Sequence, residues 1–244
     1  LPQGSVFGPL LFLIYINDID DSVCNTLLKF ADDNKVYSVP VVSNRKEINK
    51  LQQDLHNLCN WSQDWLMLFN VDKCKVMHIG FNNTKAKYEI NGKFLEEVTE
   101  ERDLGVIIRS DLKCSSQCMK AVNTANRVLG MIRRTFSVKD KKIISLSYKA
   151  LVRPHLEYSV QAWRPHFQGD IDLLEGVQRR ATKLITSISN KSYEDRLHIL
   201  NLTTLETRRL RGDLIEVSKI FKGSDSLDSS MFFTSVMHIL EVTL

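Results

Sequence analysis

Leu28-Lys29-Phe30-Ala31-Asp32-Asp33-Asn34-Lys35-Val36-Tyr37 sets two adjacent carboxylates between short apolar runs. Thr26-Leu27-Leu28 precede the pair, and Val36, Tyr37 and Val39 follow it. β-Branched and aromatic residues on either side of a polar pair predict a hairpin with Asp32-Asp33 at its tip. Two bare carboxylates side by side repel each other, and a divalent cation relieves that repulsion. Magnesium is commonly held by one or two carboxylates together with substrate phosphates, so one reading of the pair is a magnesium site. The other is a solvated Asp-Asp turn, and the pair by itself does not choose between them.

The neighbouring sequence upstream does. Leu1-Pro2-Gln3-Gly4-Ser5-Val6-Phe7-Gly8-Pro9 runs into Leu10-Leu11-Phe12-Leu13-Ile14-Tyr15-Ile16-Asn17-Asp18. Gly4 and Gly8 allow a backbone to approach a ligand closely, and the fixed φ of Pro9 suits the first turn of a helix. Leu10–Ile16 is apolar all round, which predicts a helix buried on most sides. In order and spacing, Pro2-Gln3-Gly4-Ser5, Gly8-Pro9-Leu10-Leu11-Phe12, Ile16-Asn17-Asp18 and Phe30-Ala31-Asp32-Asp33 resemble the reverse transcriptase of non-LTR retrotransposons, the jockey-like group in particular. The resemblance extends from Leu1 to about Phe233.

The 244 residues, 43% of them hydrophobic, suffice for one large core or two modest ones. The first residue is Leu1 and lies inside a motif, so the chain reads as a fragment. Leu10–Ile16 lacks a basic leader and is too short to span a bilayer, so no membrane is expected. Five scattered cysteines, Cys24, Cys59, Cys74, Cys114 and Cys118, point to reduced thiols in an intracellular protein. Cys114 and Cys118 are spaced to meet on one helical turn, but a zinc site would need two further ligands. The net charge of +4 is unevenly spread: residues 1–108 carry −4, residues 109–222 carry +11 and residues 223–244 carry −3. This suggests an acidic, metal-using half and a basic half facing a polyanion; an ordinary solvated face is the other reading of the basic half.

Asn44-Arg45-Lys46-Glu47 reads as a capping box opening a helix to about Trp65, with a stripe of Ile48, Leu51, Leu55, Leu58, Trp61 or Ser62, and Trp65. Trp61 and Trp65 are read as core. Cys74, Val76 and Ile79 belong to a short strand, on which His78 packs. Asn91-Gly92 within Tyr88–Leu95 predicts a type I′ hairpin. Arg102–Ile108 reads as one strand, with Gly105 as a bulge or a point of close backbone approach. Helical periodicity dominates from Lys113, with candidate helices at Ser115–Thr135, Lys139–Leu151, Leu156–Trp163, Asp170–Ile185, Ser192–Leu200 and Leu205–Phe221. Basic clusters at Arg127, Arg133-Arg134, Lys139, Lys141-Lys142, Arg179-Arg180, Lys183 and Arg208-Arg209 with Arg211 suit phosphate contacts.

The resemblance implies RNA-directed DNA polymerase activity: template-directed nucleotidyl transfer by a two-metal mechanism, from an RNA template, a DNA primer and deoxynucleoside triphosphates. It makes Asp32 and Asp33 the catalytic and metal residues for Mg²⁺. It makes Gln3, Gly4 and Phe30 nucleotide- or template-contacting, Phe30 standing where many reverse transcriptases have tyrosine. Lys73, with Lys75 as its competitor, takes the place of a lysine near the leaving pyrophosphate. Leu104 and Gly105 take the place of the primer grip, and Arg127, Arg133, Arg134, Arg179 and Arg180 the nucleic-acid contacts. A two-metal site needs a further carboxylate from an earlier strand, so the metal site of this chain reads as incomplete. The expected architecture is an α+β palm remnant over 1–109, an antiparallel sheet with the Asp-Asp hairpin and packed helices. A basic all-α thumb-like region over 110–222 and a linker and truncated tail over 223–244 follow it. The resemblance also implies a nuclear location. The alternative is a catalytically inactive remnant that only binds nucleic acid through its basic helical half.

Overall fold

A computed structural model of the chain describes residue 4 and residues 6–38, 45–80, 83–224 and 227–233. Gln3, Asn44 and most of the tail after Met231 therefore lie outside the described residues. The chain mixes helices with small sheets and divides into two compact units, Leu1–Glu101 with Arg109–Leu112, and Arg102–Ile108 with Lys113–Leu244.

The first unit begins with α1, Phe7–Tyr15, followed by the hairpin strands β1, Thr26–Phe30, and β2, Asp33–Tyr37. Helix α2, Arg45–Asp64, packs behind them, and its buried residues include Leu58, Cys59 and Trp61. Ile16, Ile19, Leu58 and Trp61 form the core, with Phe12, Val23, Leu27 and Val36 packed against it. The expected burial of the first helix is corrected: Phe7, Leu10, Leu11, Leu13 and Ile14 are 48–66% exposed. A helix apolar on every side needs neighbours on every side, and only its Phe12 edge meets this core. Trp65 likewise stays 43% exposed, edge-on to Tyr15, and only Trp61 enters the core.

Buried polar groups fasten α2 to its surroundings. The fully buried Asp54 accepts hydrogen bonds from the backbone N–H groups of Cys24 (2.8 Å) and Asn25 (2.9 Å) and from Asn25 Nδ2 (2.7 Å), closing the turn before β1. Asp54→Ala leaves these donors unpaired and is expected to cost about 3 kcal/mol, read as a lower urea midpoint. Gln52 exchanges two hydrogen bonds with the backbone of Glu89, 2.9 and 3.0 Å, in the manner of a neighbouring strand.

The remaining strands are short: β3, Lys75–Val76; β4, Glu89–Ile90; β5, Lys93–Phe94; β6, Glu96–Glu97; β7, Glu100–Asp103; and β8, Val106–Arg109. The expected antiparallel sheet is corrected to four separate two-stranded pairs among the described residues, of which β3–β6 is parallel. A two-residue strand completes little of a ladder, and the positive φ of Gly80, Lys85, Asn91 and Gly92 interrupts the extended backbone between them. Asn91 and Gly92, at φ 51° and 74°, join β4 to β5 with both turn residues left-handed, as a type I′ turn requires. His78 is buried beside Tyr88, ring centroids 6.3 Å apart.

The second unit is built from α3, Ser115–Thr135; α4, Lys141–Ser147; α5, Arg153–Glu157; α6, Gln168–Lys183; α7, Tyr193–Leu200; and α8, Leu205–Phe221. Asp140, Ser192 and Thr204 cap α4, α7 and α8 with side-chain oxygens that accept backbone N–H bonds. The helices expected at Lys139–Leu151 and Leu156–Trp163 are corrected. Helix continues from α4 to α5 through a π-turn, Tyr148–Val152, and only a short 3₁₀ turn, Val160–Ala162, follows. Pro154 cannot donate to the helical ladder, and the wider turn just before it, with Arg153 N–H bonded to Tyr148 O, accommodates it.

The core of this unit gathers Val106, Cys118, Ala125, Ile132, Ile144, Tyr148, Leu156, Leu174, Val177, Ile185 and Leu205. Beside it runs a polar network. The carboxylate of Glu175 accepts from Tyr193 Oη, Gln178 Nε2 (3.0 Å) and the Leu205 backbone N–H (2.9 Å). Gln178, fully buried, also accepts from Tyr148 Oη at 2.7 Å and donates to Thr203 O at 3.0 Å.

Candidate functional site

β1 and β2 pair antiparallel from Thr26↔Tyr37 to Phe30↔Asp33, which corrects the expected Asp32-Asp33 tip to Ala31-Asp32: Ala31 takes the left-handed φ of 51° and Asp33 already pairs with Phe30. Leu27 and Val36 face each other and pack on the core, which fixes the hairpin from one side. Lys29 adds a second hold near the turn: its ammonium donates to Asp20 (2.7 Å) and to Asn17 O (3.1 Å) in the segment after α1. The hydrogen bond from Lys29 holds the Asp20 carboxyl below the usual carboxylate range. Asp18 accepts from Trp61 Nε1 at 3.1 Å. Asp20 thus anchors the hairpin, and Asp18 ties the same segment to α2.

Asp32 and Asp33 themselves are exposed, and neither carboxylate has a hydrogen bond or ion pair among the described residues. Phe30 is 60% exposed beside them. Two unneutralised carboxylates on a pinned turn are a donor set for a hard cation shared with phosphate oxygens. No group of three His, Cys, Asp or Glu among the described residues closes a metal site.

The two candidate lysines differ in their surroundings. Lys75, on β3, is ion-paired with Glu101 at 2.6 Å. Lys73 ends a 3₁₀ turn, Val71–Lys73, and is exposed without a hydrogen bond or ion pair among the described residues. Gly4 holds φ 86° with no atom within 4 Å of a Cβ placed on it.

Leu104 and Gly105 do not lie in the middle of a strand. They form the two-residue turn between β7 and β8, at φ 43° and 88°, which corrects the single strand expected over 102–108. Both carbonyls are held from the helical unit: Tyr158 Oη donates to Leu104 O at 3.0 Å, and Lys120 Nζ to Gly105 O at 2.6 Å. A Cβ on Gly105 would sit 3.1 Å from Tyr158 Cε1, so the ring lies directly on the turn. Burial, together with the charge of Arg102, lowers the affinity of Lys120 for its proton relative to an ordinary lysine. Lys120 and Tyr158 escaped the sequence reading because neither stands near the turn in the chain. The signal that could have found Lys120 is its spacing of seven from Arg127 and of fourteen from Arg134.

Arg127, Arg133 and Arg134 are exposed on α3, and Arg179, Arg180 and Lys183 on α6. These two helices run parallel in register: Ser115 donates to Asp170 at 2.6 Å, and Arg180 to Asn126 at 3.0 and 3.3 Å, pairs separated by 55 and 54 residues. Both basic ends therefore lie side by side. α3 contains four basic residues and no Asp or Glu over 21 residues. The cluster at Arg208-Arg209 is different and is not a phosphate face. Arg208 is paired with Glu157, and Arg209 is buried over the Trp163 ring (4.2 Å), donating to Leu156 O and Trp163 O.

The family model described as reverse transcriptase (RNA-dependent DNA polymerase) matches residues 1–132. The "Probable RNA-directed DNA polymerase from transposon BS" of Drosophila melanogaster is 23% identical over 228 residues, covering 84% of this chain and 24% of that protein. The "RNA-directed DNA polymerase from mobile element jockey" of Drosophila funebris is 28% identical over 182 residues, covering 67% of this chain and 19% of that protein. The chain thus spans about a fifth to a quarter of the length of the curated relatives it matches. No solved structure matches it significantly. No helix among the described residues is long and apolar enough to cross a membrane. With a family match over more than half its length and its sequence blocks in order, the chain belongs to the reverse transcriptase (RNA-dependent DNA polymerase) family and is similar to the jockey-like polymerases of non-LTR retrotransposons.

Proposed function

We propose that this chain is a segment of an RNA-directed DNA polymerase of a transposable element, carrying part of the palm in its first unit and a nucleic-acid-holding thumb in its second. The observation that carries the reading is the pair of carboxylates without partners among the described residues, Asp32 on the turn and Asp33 at the start of β2, at a hairpin end pinned by Lys29 and by the Leu27–Val36 contact with the core. Asp32 would ligate Mg²⁺ directly, with Asp33 supporting it. Bound there, the metal supplies stabilisation of the oxygens that gain negative charge during phosphoryl transfer. Phe30, exposed at the end of β1, offers a flat face to the incoming nucleotide or template base, and by the family resemblance Gln3 and Gly4 share that role. Lys73, with its ammonium uncommitted, is the cation for the leaving pyrophosphate, whereas Lys75 is already neutralised by Glu101. The turn Leu104-Gly105 meets the primer end.

The α3–α6 face, with Arg127, Arg133, Arg134, Arg179 and Arg180, holds the phosphates of an RNA–DNA hybrid. Binding of the chain to such a hybrid is expected to weaken steeply with salt. The double substitution of Arg133→Ala with Arg134→Ala is expected to reduce the slope of log K against log[salt] by about two. Absence of binding at low salt, or an unchanged slope in the double variant, refutes the thumb assignment. Binding without any primer extension by a polymerase that contains this segment marks it as an inactive remnant.

A further inference from the structure

The basic face has a head as well as a flank. Lys120, Arg127 and Arg134 recur at seven-residue steps along α3, Lys120 half-buried and the two arginines exposed, about 10.5 Å apart along the helix. Lys120 is the member nearest the β7–β8 turn, where its ammonium rests on Gly105 O at 2.6 Å. An ammonium has three donors, and this contact uses one. No carboxylate among the described residues lies within 4 Å of Lys120 Nζ, so its charge is not neutralised inside the protein. Tyr158 fixes the other half of the same turn through Leu104 O and through its ring against Gly105.

We propose that Lys120 is a phosphate-contacting residue: held on Gly105 O, it presents its remaining donors to the sugar–phosphate backbone at the strand end that meets the Leu104-Gly105 turn, and so begins the track that Arg127 and Arg134 continue. This rests on the reading of α3 as a nucleic-acid face and assigns that face a starting point and a direction. Burial and the charge of Arg102 both disfavour the lone ammonium, and a bound phosphate offsets both. Tyr158 acts as a positioning residue, since it touches the turn and needs no contact with the strand.

The test is the salt dependence of hybrid binding by the full chain. Lys120→Gln, which keeps a donor for Gly105 O and removes the charge, is expected to weaken binding about tenfold at low salt. It should also flatten the slope by about 0.9, the value of one duplex phosphate contact. Lys120→Arg is expected to keep the slope. As a check independent of folding in the variants, bound hybrid is expected to protect Lys120 of the unsubstituted chain from acetic anhydride, read by peptide mass spectrometry. An unchanged slope in Lys120→Gln while the Arg133/Arg134 double variant loses two contacts overturns this inference and leaves the face intact. Unprotected Lys120 in a bound complex overturns it equally. No binding by the unsubstituted chain overturns both.

Discussion

Asp32→Ala in a polymerase that contains this segment is expected to lower primer extension on an RNA template by about three orders of magnitude. Metal-assisted stabilisation of phosphoryl transfer is worth several kcal/mol, and each 1.36 kcal/mol is a factor of ten. The hairpin should survive the change, because Asp32 is a turn residue whose carboxylate has no partner among the described residues and the strands are held by Leu27, Val36 and Lys29. Loss of activity without loss of stability is therefore the expected signature. Asp32→Asn keeps the size and removes the charge, and should be nearly as damaging. Asp33→Ala should lose less. In the 244-residue chain, Mn²⁺ should selectively broaden NMR signals from residues 30–34, and Asp32→Ala should abolish that broadening. Extension at the parental rate by the Asp32→Ala polymerase, or broadening that persists in the variant, rules out direct metal ligation by Asp32.

Glu175→Leu is expected to unfold much of the helical unit. It strips the partner from the Tyr193 hydroxyl and the Leu205 backbone N–H, and one of three acceptors from Gln178 Nε2, all in the interior. Orphaned buried donors cost about 1–3 kcal/mol each, so the total is on the order of 4 kcal/mol, a large part of the 5–15 kcal/mol typical of a whole domain. Glu175→Gln retains one acceptor oxygen and should cost less than half of this. The same region sets an alkaline limit. Burial pushes the Cys118 thiol up to about 12 from 9.0, and burial also raises the Tyr148 and Tyr193 hydroxyls, the latter further through Glu175. Groups raised in the folded state stabilise it fully below their unfolded values and lose that stabilisation as pH climbs to the folded ones. The urea midpoint followed by far-UV circular dichroism should be flat up to about pH 9 and fall between about pH 9 and 12. A midpoint independent of pH across that window, or a Glu175→Leu protein as stable as the parent, contradicts this account.

These residues explain two sequence blocks whose meaning was otherwise opaque. In Leu174–Thr182, the leucine, valine and alanine enter the core and Gln178 is the hub of the polar network, while Arg179 and Arg180 point outward. In Tyr148–Tyr158, Tyr148, Val152 and Leu156 are core, Glu157 pairs with Arg153 and Arg208, and Tyr158 reaches the Leu104-Gly105 turn. One block supplies packing and an exposed basic edge, and the other supplies packing and a clamp on the Leu104-Gly105 turn.

The sequence by itself determined what local chemistry decides. The helix over Ser115–Thr135 follows from its apolar period, and the Asn91-Gly92 turn from two residues that tolerate positive φ. The ordered blocks around Asp32-Asp33 were enough to identify the family. Only the tertiary structure decided matters that depend on partners distant in the chain. Leu104 carries no local signal for a left-handed turn, and the turn stands because Tyr158 and Lys120 hold its carbonyls. Lys73 and Lys75 are indistinguishable as letters, and Glu101, 26 residues further on, neutralises one of them. The first helix is apolar enough to be core, yet its exposure follows from how few neighbours the unit sets against it. Arg127 and Arg180 lie more than fifty positions apart, and the parallel register of two helices makes them one surface. Periodicity and turn propensity act over a few residues, whereas burial, pairing and shared surfaces arise only once the chain has closed on itself.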